Sequence, residues 1–410
     1  MLLKRLSITT IISFGILTTL SPSTSIKAAN FSNGEITQVH QFQKEYANLS
    51  KKSYNQNNLY EVTPKLGQNF NAGKLQKDYI SDQLSYINYY RSLFGLQPIT
   101  DDKLANDSAQ TTAAVMASIN ANPFVNQHGL PNEKRPNYIN KGTWKLAQDT
   151  SETSNLNFNV NNQSAGDVIT DLLTDHYNLT GSDTGHRAWL LSTRLSTTGI
   201  GAAYGSNGYR YSVQKVLNVD DLFKPASKAT VVYPSVGVFP VELSKGKNVA
   251  WSIYLSDKIF TGVPKVTITD KDTKKTYTAK NVTNYSNSGF GNFKTVITYF
   301  PGKTPIVAGH QYQVKIGNLY KYTFKLFKQN TSLKTESVEE KATTYQRASE
   351  QQNPHGNSAF SNQSSKLWAS FNPINEQTKI YQYFDSLKKN QWNNNFFIKH
   401  FLKNIPIHFQ

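Results

Sequence analysis

The sequence predicts an α+β protein in two parts: a layered domain of helices and strands, then a small all-β, immunoglobulin-like sandwich. Three observations lead there. Apolar residues recur at helical spacing between about residue 75 and residue 177. One hairpin signal closes that part, where "GIGAAYG" and "YRYSVQKVLN" flank Ser206-Asn207-Gly208. From Ala229 onward the pattern switches to short alternating runs rich in Val, Ile, Thr and Tyr, parted by turn residues.

Residues 1–29 read as a signal peptide. Lys4 and Arg5 precede an apolar run, Leu6 to Leu20, with the small residues Ala28 and Ala29 after it. The run falls short of the roughly 20 residues a spanning helix needs. Residues 30–73 are polar and rich in Asn, Gln and Lys, and are expected to be a lead-in of low order.

The layered domain is expected over 74–222. Ile80, Leu84, Ile87 and Phe94 mark its first helix, which Gly95 is placed to end. Thr100 or Asp101 can cap a second helix reaching about Asn122, with Ala105, Ala109, Ala113 and Met116 on a small-residue face. Loops are expected from Asn122 to Asn162, around Gly129, Pro131, Pro136 and Gly142. Ser164 and Asp167 form a capping-box pattern for a helix ending near Tyr177.

The sandwich is expected over 229–328, from "PKVTITD", "KKTYTAK", "KTVITYF", "YQVKIGN" and "YKYTFKL", with Gly317-Asn318 as a hairpin turn. Its Tyr233, Phe239 and Trp251 suit a core better than a carbohydrate-stacking face. A disordered linker (329–375) and an aromatic, basic tail (376–410) are expected to follow. The tail suits a weakly ordered end better than a membrane-contacting helix.

Composition narrows the chemistry. With no cysteine, thiol nucleophiles, thiolate metal sites and disulfides are excluded. The formal net charge is +17, falling to about +14 once Lys4, Arg5 and Lys27 leave with the signal peptide. Such a charge suits anionic wall polymers or a membrane surface. No LPxTG-type sorting motif is present, so association with a wall is expected to be non-covalent. There is likewise no HExxH, Walker loop or GxSxG elbow.

What remains is a scattered set: His128, Glu152, Asp175, His176 and His186. It falls within a stretch carrying "YINYYRSLFGLQPIT" (86–100), "LANDSAQTTAAVMA" (104–117), the lone His128, "TGHRAWLL" (184–191) and "GIGAAYG" (199–205). In order and spacing these segments resemble the CAP superfamily of cysteine-rich secretory, antigen 5 and pathogenesis-related proteins, in its cysteine-free bacterial branch. The resemblance implies an α-β-α sandwich, in agreement with the pattern. It also implies two histidines and two acids about a central cleft. His128 and His186 match the histidines. Glu152 matches the first acid, although "SET" stands where the family has "GEN". The second acid stays open between Asp175, on the border of the apolar helix face, Asp171, which points further away, and none at all.

Two imidazoles with carboxylates are a ligand set for zinc or another divalent cation, here His128, His186 and Glu152. The same groups, with Asp175, are the catalytic candidates for acid–base work near neutral pH. His176 suits a core position, and Arg187 a pairing with an internal acid. Gly185 is expected to give a tight turn at the cleft floor, with Trp189, Leu190 and Leu191 anchoring the segment. The expected role is a secreted, extracellular Gram-positive surface protein that acts by binding, its partners anionic polymers or host or bacterial surface ligands rather than nucleic acid. A metal-dependent hydrolase acting on peptide or wall substrates and a structural adhesin with a vestigial cleft stay open as alternatives. Neither ligand nor oligomeric state follows from the sequence.

Overall fold

A computed structural model describes residues 30–179 and 181–329. The signal peptide (1–29), the tail (376–410) and all but Gln329 of the linker lie outside the described residues.

The lead-in is ordered, contrary to expectation. Ser32 and Glu35 form a reciprocal capping box that starts helix α1 (Asn33–Ala47). Only Val39 and Phe42 of α1 are buried, which is why its composition looks like that of an unfolded chain. Phe42 stacks on Phe327, and Lys325 Nζ meets Glu35 at 2.6 Å, so α1 is fastened to the far end of the described chain. The strands β1 (Tyr60–Val62) and β2 (Lys74–Leu75) pair antiparallel.

Helix α2 (Lys77–Leu93) stops at Phe94, and Gly95 takes φ 64° just beyond it. After β3 (Thr100–Asp101), Asp102 rather than Thr100 or Asp101 caps α3 (Lys103–Ser118) by accepting from the Ala105 N–H. The stretch expected to be all loop contains α4 (Lys141–Glu152), capped by Asn140, and β4 (Ser154–Asn159). The Ser164–Asp167 capping box opens α5 (Ala165–Thr174) as expected. That helix ends three residues before Tyr177, because Asp175 turns left-handed at φ 56°. A short α6 (Gly185–Leu190) precedes the hairpin of β5 (Thr197–Tyr204) and β6 (Arg210–Lys215).

The sheet runs β3-β5-β6-β4. Alternation along β5 sorts its residues between two helical layers. Ala203 shares a core with Ala109, Ala113 and Met116 of α3 and with Trp144 and Ala147 of α4. Ile200, Ala202 and Tyr204 pack on the other face with Tyr79 of α2 and Ala165 of α5. The result is an α-β-α sandwich. Helix α3 lies so close to β5 that Asn106 and Gln110 reach its open edge, accepting from the N–H groups of Ile200 and Ala202 at 2.8 and 3.0 Å. Glycine permits that approach: a Cβ on Gly201 would lie 2.2 Å from the Ala109 carbonyl.

After α7 (Val219–Leu222) the chain forms a β-rich region of two sheets. It comprises β7 (Thr230–Tyr233), β8 (Gly237–Pro240), a turn of helix α8 (Val241–Ser244), β9 (Trp251–Leu255), β10 (Val266–Asp270), β11 (Lys275–Thr278), β12 (Lys280–Asn284), β13 (Thr295–Phe300), β14 (Gln311–Ile316) and β15 (Tyr320–Phe327). One sheet runs β11-β10-β14-β15-β8 and the other β12-β13-β9-β7. Gly317 turns β14 into β15 at φ 48°. Tyr233, Phe239 and Trp251 are fully buried, so they fill the core and offer no stacking face. One apolar cluster runs from α2 and α5 through α6 into both sheets.

Because the β5–α3 approach leaves no room for a methyl group, Gly201→Ala should destabilise the protein by about 1–3 kcal/mol or more through overpacking. Gly34→Ala, at a position with open space, should change stability by less than about 1 kcal/mol. Denaturant unfolding of the two variants measures the contrast.

Candidate functional site

A cavity of about 720 Å³ opens where β4, the start of α6 and the loop before α4 meet. His128, Glu152, Asp175 and His186, though up to 58 positions apart in sequence, all line it, and so does Asp171. Each side chain is delivered by a definite local structure. His128 sits in the 123–131 loop, where its backbone N–H donates to Asn126 Oδ1 at 3.0 Å and its Nδ1 lies 2.9 Å from the Ser151 carbonyl. Glu152 ends α4 and is buried. Gly129 faces it: a Cβ there would fall 2.7 Å from Glu152 Oε2, at a residue whose φ of 76° already favours glycine.

The second acid and the second histidine meet directly. Asp175 Oδ1 and His186 Nδ1 are 2.8 Å apart, and Asp175 Oδ2 accepts the Arg187 backbone N–H at 3.3 Å. Asp171 instead accepts from Gln163 at 2.7 Å and Asn157 at 3.4 Å. Asp175 is the acid held against a histidine. Two left-handed non-glycine residues frame this pair, Asp175 and Thr184 (φ 53°). For threonine that conformation is strained, and the Thr184 hydroxyl is held 2.7 Å from the Tyr254 hydroxyl of β9. The tight turn before His186 thus belongs to Thr184 and not, as expected, to Gly185. Gly185 is small for another reason: a Cβ there would press on the Phe290 ring at 3.2 Å. Trp189, Leu190 and Leu191 are buried and anchor α6 as expected.

Arg187 does not pair with an acid through its side chain. It is fully buried and donates to the carbonyls of Leu173 (2.5 Å), Thr174 (2.6 Å) and Ala250 (2.7 Å), with its guanidinium 3.7 Å from the centre of the Tyr233 ring. His176 is not a core residue. It is half-buried beyond the end of α5, with Nδ1 2.7 Å from the Thr174 hydroxyl and its ring against Tyr177.

Electrostatics divide the two histidines. Burial pushes the His128 imidazole down to about 4, and the neighbouring His186 pushes the same way. Burial also opposes charge on His186, but the Asp175 carboxylate outweighs it and holds that imidazole above its ordinary value. Burial likewise works against Asp175 as an anion. His186 and Arg187 more than offset this, and its carboxyl titrates below the usual range. Nδ1 of each ring is engaged, by the Asp175 carboxylate for His186 and by the Ser151 carbonyl for His128, and such contacts fix the orientation of an imidazole. Two imidazoles and a carboxylate are the donor types a divalent cation takes, but among the described residues the ligand atoms that lie close enough together to hold one are elsewhere in the chain.

A second cluster went unnoticed in the sequence. In the β-rich region, one ligand atom from each of Asp270, Asp272 and His310 lies within 4.8 Å of the others, and the group could hold a metal ion. Asp270 Oδ2 is 3.0 Å from His310 Nδ1, while Asp270 and Asp272 accept backbone N–H groups of Asp272, Thr273 and Gln311. The "DKD" of this turn was the available signal, but His310 lies forty positions away and only strand pairing joins them.

The family model described as "CAP: Cysteine-rich secretory protein family" matches residues 84–216, so this part of the chain carries a CAP domain. No match is found among curated proteins.

A histidine titration followed by NMR should place His128 near pH 4 and His186 above 6.5, with the His186 contribution to stability present below pH 6.5 and lost as pH rises through its folded value. His128 works oppositely: its share is present above pH 6.5 and is lost as pH falls towards 4. Asp175→Asn should bring the His186 midpoint down, and an unmoved midpoint would refute the pairing.

Proposed function

We propose that this CAP-domain chain is an exported protein that acts by binding at the cell surface, with its cleft as the binding site. What supports the reading is one cavity walled by two histidines and their acids, with a CAP domain around it. In such a cleft His128 and His186, with Glu152, would hold a divalent cation such as zinc. The ion would supply Lewis acidity at the cleft floor. Asp175 would fix the His186 ring and its tautomer, and the Ser151 carbonyl would do the same for His128. Export is supported by the N-terminal sequence pattern, and no helix among the described residues is long and apolar enough to cross a membrane.

Calorimetric titration with zinc tests the cleft. Binding should be measurable at pH 7.5 and weaken strongly at pH 5.5, where protons compete for the imidazoles. His128→Ala and His186→Ala should each remove most of it while the metal-free melt moves by a few degrees at most. Unchanged zinc affinity in both variants would refute the site. Residual binding in both would point instead to Asp270, Asp272 and His310, which His310→Ala isolates. Turnover of peptide or wall polymers by the zinc-loaded protein would convert the reading into that of a hydrolase.

The net charge, about +14 once Lys4, Arg5 and Lys27 are lost from the total of +17, would carry the surface association. Exposed charges are screened beyond about 10 Å at 0.1 M salt. Salt raised to about 1 M should therefore release the protein from whole cells. Retention at that concentration would refute association by charge.

A further inference from the structure

The wall of the cleft has a charge opposite to that of the chain. Four carboxylates line it, Glu152, Asp171, Asp175 and Asp183, while no lysine or arginine does, in a sequence with 44 such residues against 27 acids. Arg187 stands behind the wall, with its donors spent on carbonyls. Asp175 faces the His186 ring at 2.8 Å. An anion entering this space would meet no lysine or arginine on the wall and several like charges.

The mouth carries a second signal. Phe124, Val160, Tyr177 and Leu179 are among the large apolar side chains left most exposed, at 72, 56, 70 and 62 %, and all four line this one cavity. Trp189 lies among the lining residues. Exposed apolar residues scattered singly need no explanation, but four gathered around one opening mark a surface meant to be covered. Aromatic faces beside carboxylates are the surroundings that an ammonium group finds favourable.

We infer that the cleft takes an organic cation, an ammonium group joined to an apolar segment, and rejects the anionic polymers that the charge of the chain attracts to its outside. The inference rests on the reading of the cleft as the binding site and adds the chemical class of what enters it. The ammonium would lie towards the carboxylates and the apolar segment towards the Phe124–Tyr177–Leu179 mouth, in a volume that accommodates a small ligand. Charge would thus work in two places with opposite sign: the exterior holds the protein on an anionic surface, and the cleft selects a cation found there.

Three probes of equal chain length separate charge from apolar affinity: octylammonium, octanoate and octyl glucoside. Each is titrated into the full chain at pH 7 and 0.15 M salt with a chelator present, and binding is located by NMR shifts of Asn157, Tyr177 and Trp189. Octylammonium should bind at least tenfold more tightly than octanoate, with the glucoside between them. Asp171→Asn, which keeps the side-chain shape, should weaken octylammonium about threefold or more and leave octyl glucoside unchanged. Asp183→Asn is the second variant, should Asp171→Asn lower the melt. Octanoate binding as tightly as octylammonium would overturn the inference while leaving the cleft as a binding site. If no probe shifts the cleft resonances, the inference fails, while the zinc titration still decides the reading of the cleft as a binding site.

Discussion

The guanidinium of Arg187 joins three pieces of chain that the sequence keeps far apart. Its donors reach the last carbonyls of α5 and that of Ala250, just before β9, and its flat face lies on the Tyr233 ring. A charge with no exposure is expensive unless its hydrogen bonds are met, so this group tolerates few alternative arrangements of its partners. One residue earlier in the same helix is His186. The backbone N–H of Arg187 also meets the carboxylate that holds the His186 ring. The cleft is therefore fixed from behind, and part of what fixes it belongs to the β-rich region rather than to the CAP domain. Tyr254 holding Thr184 and Phe290 crowding Gly185 make the same point with other atoms.

The front of the cleft follows from a simpler rule. Along β4, Leu156 and Phe158 turn towards the α3–α4 core, so the alternate residues Asn155, Asn157 and Asn159 belong to the opposite face. Asn155 spends its amide on the His186 carbonyl and Gln214, and Asn157 donates to Asp171. The strand thus lends neutral amides to a wall whose charges come from helix ends and loops. The acids sit where backbone geometry can present them: Glu152 at the end of α4, Asp175 in the left-handed cap of α5, and Asp183 accepting the Gly185 N–H.

Much of this architecture was legible in the residues. The Ser164 capping box, the Ser206–Gly208 hairpin, Gly95 after α2 and the alternating β-rich region all rest on local rules, and local rules survive in the folded chain. The failures have a common cause, which is dependence on distant partners. Helix α1 buries two side chains and owes its place to Phe327 and Lys325. Helix α4 opens Lys-Gly-Thr and hides a short apolar face of Trp144 and Ala147, too brief a pattern to stand out among prolines and glycines. The helical periodicity through Asp175 and His176 is real, but the pull of Asp175 towards His186 and the Arg187 N–H ends the helix first. That His128, Glu152, Asp175 and His186 share a cavity could be anticipated only through the family resemblance, since nothing local links a loop, two helix ends and a short helix.

Fastening α1 to β15 has a consequence for how the chain is threaded. Lys325 Nζ bonds the carbonyl of Asn30 at 2.7 Å, and Gln43 bonds that of Lys328 at 2.8 Å, so both ends of the described chain lie on one side of the molecule. The order in which the pieces are translated is thus not demanded by the order in which they pack. A circular permutant of residues 30–329 alone, with a short linker from Gln329 to Asn30 and new termini at the Ser206–Asn207–Gly208 turn, would retain every layer described above. Anything grafted into that linker would ride on the α1–β15 side of the protein.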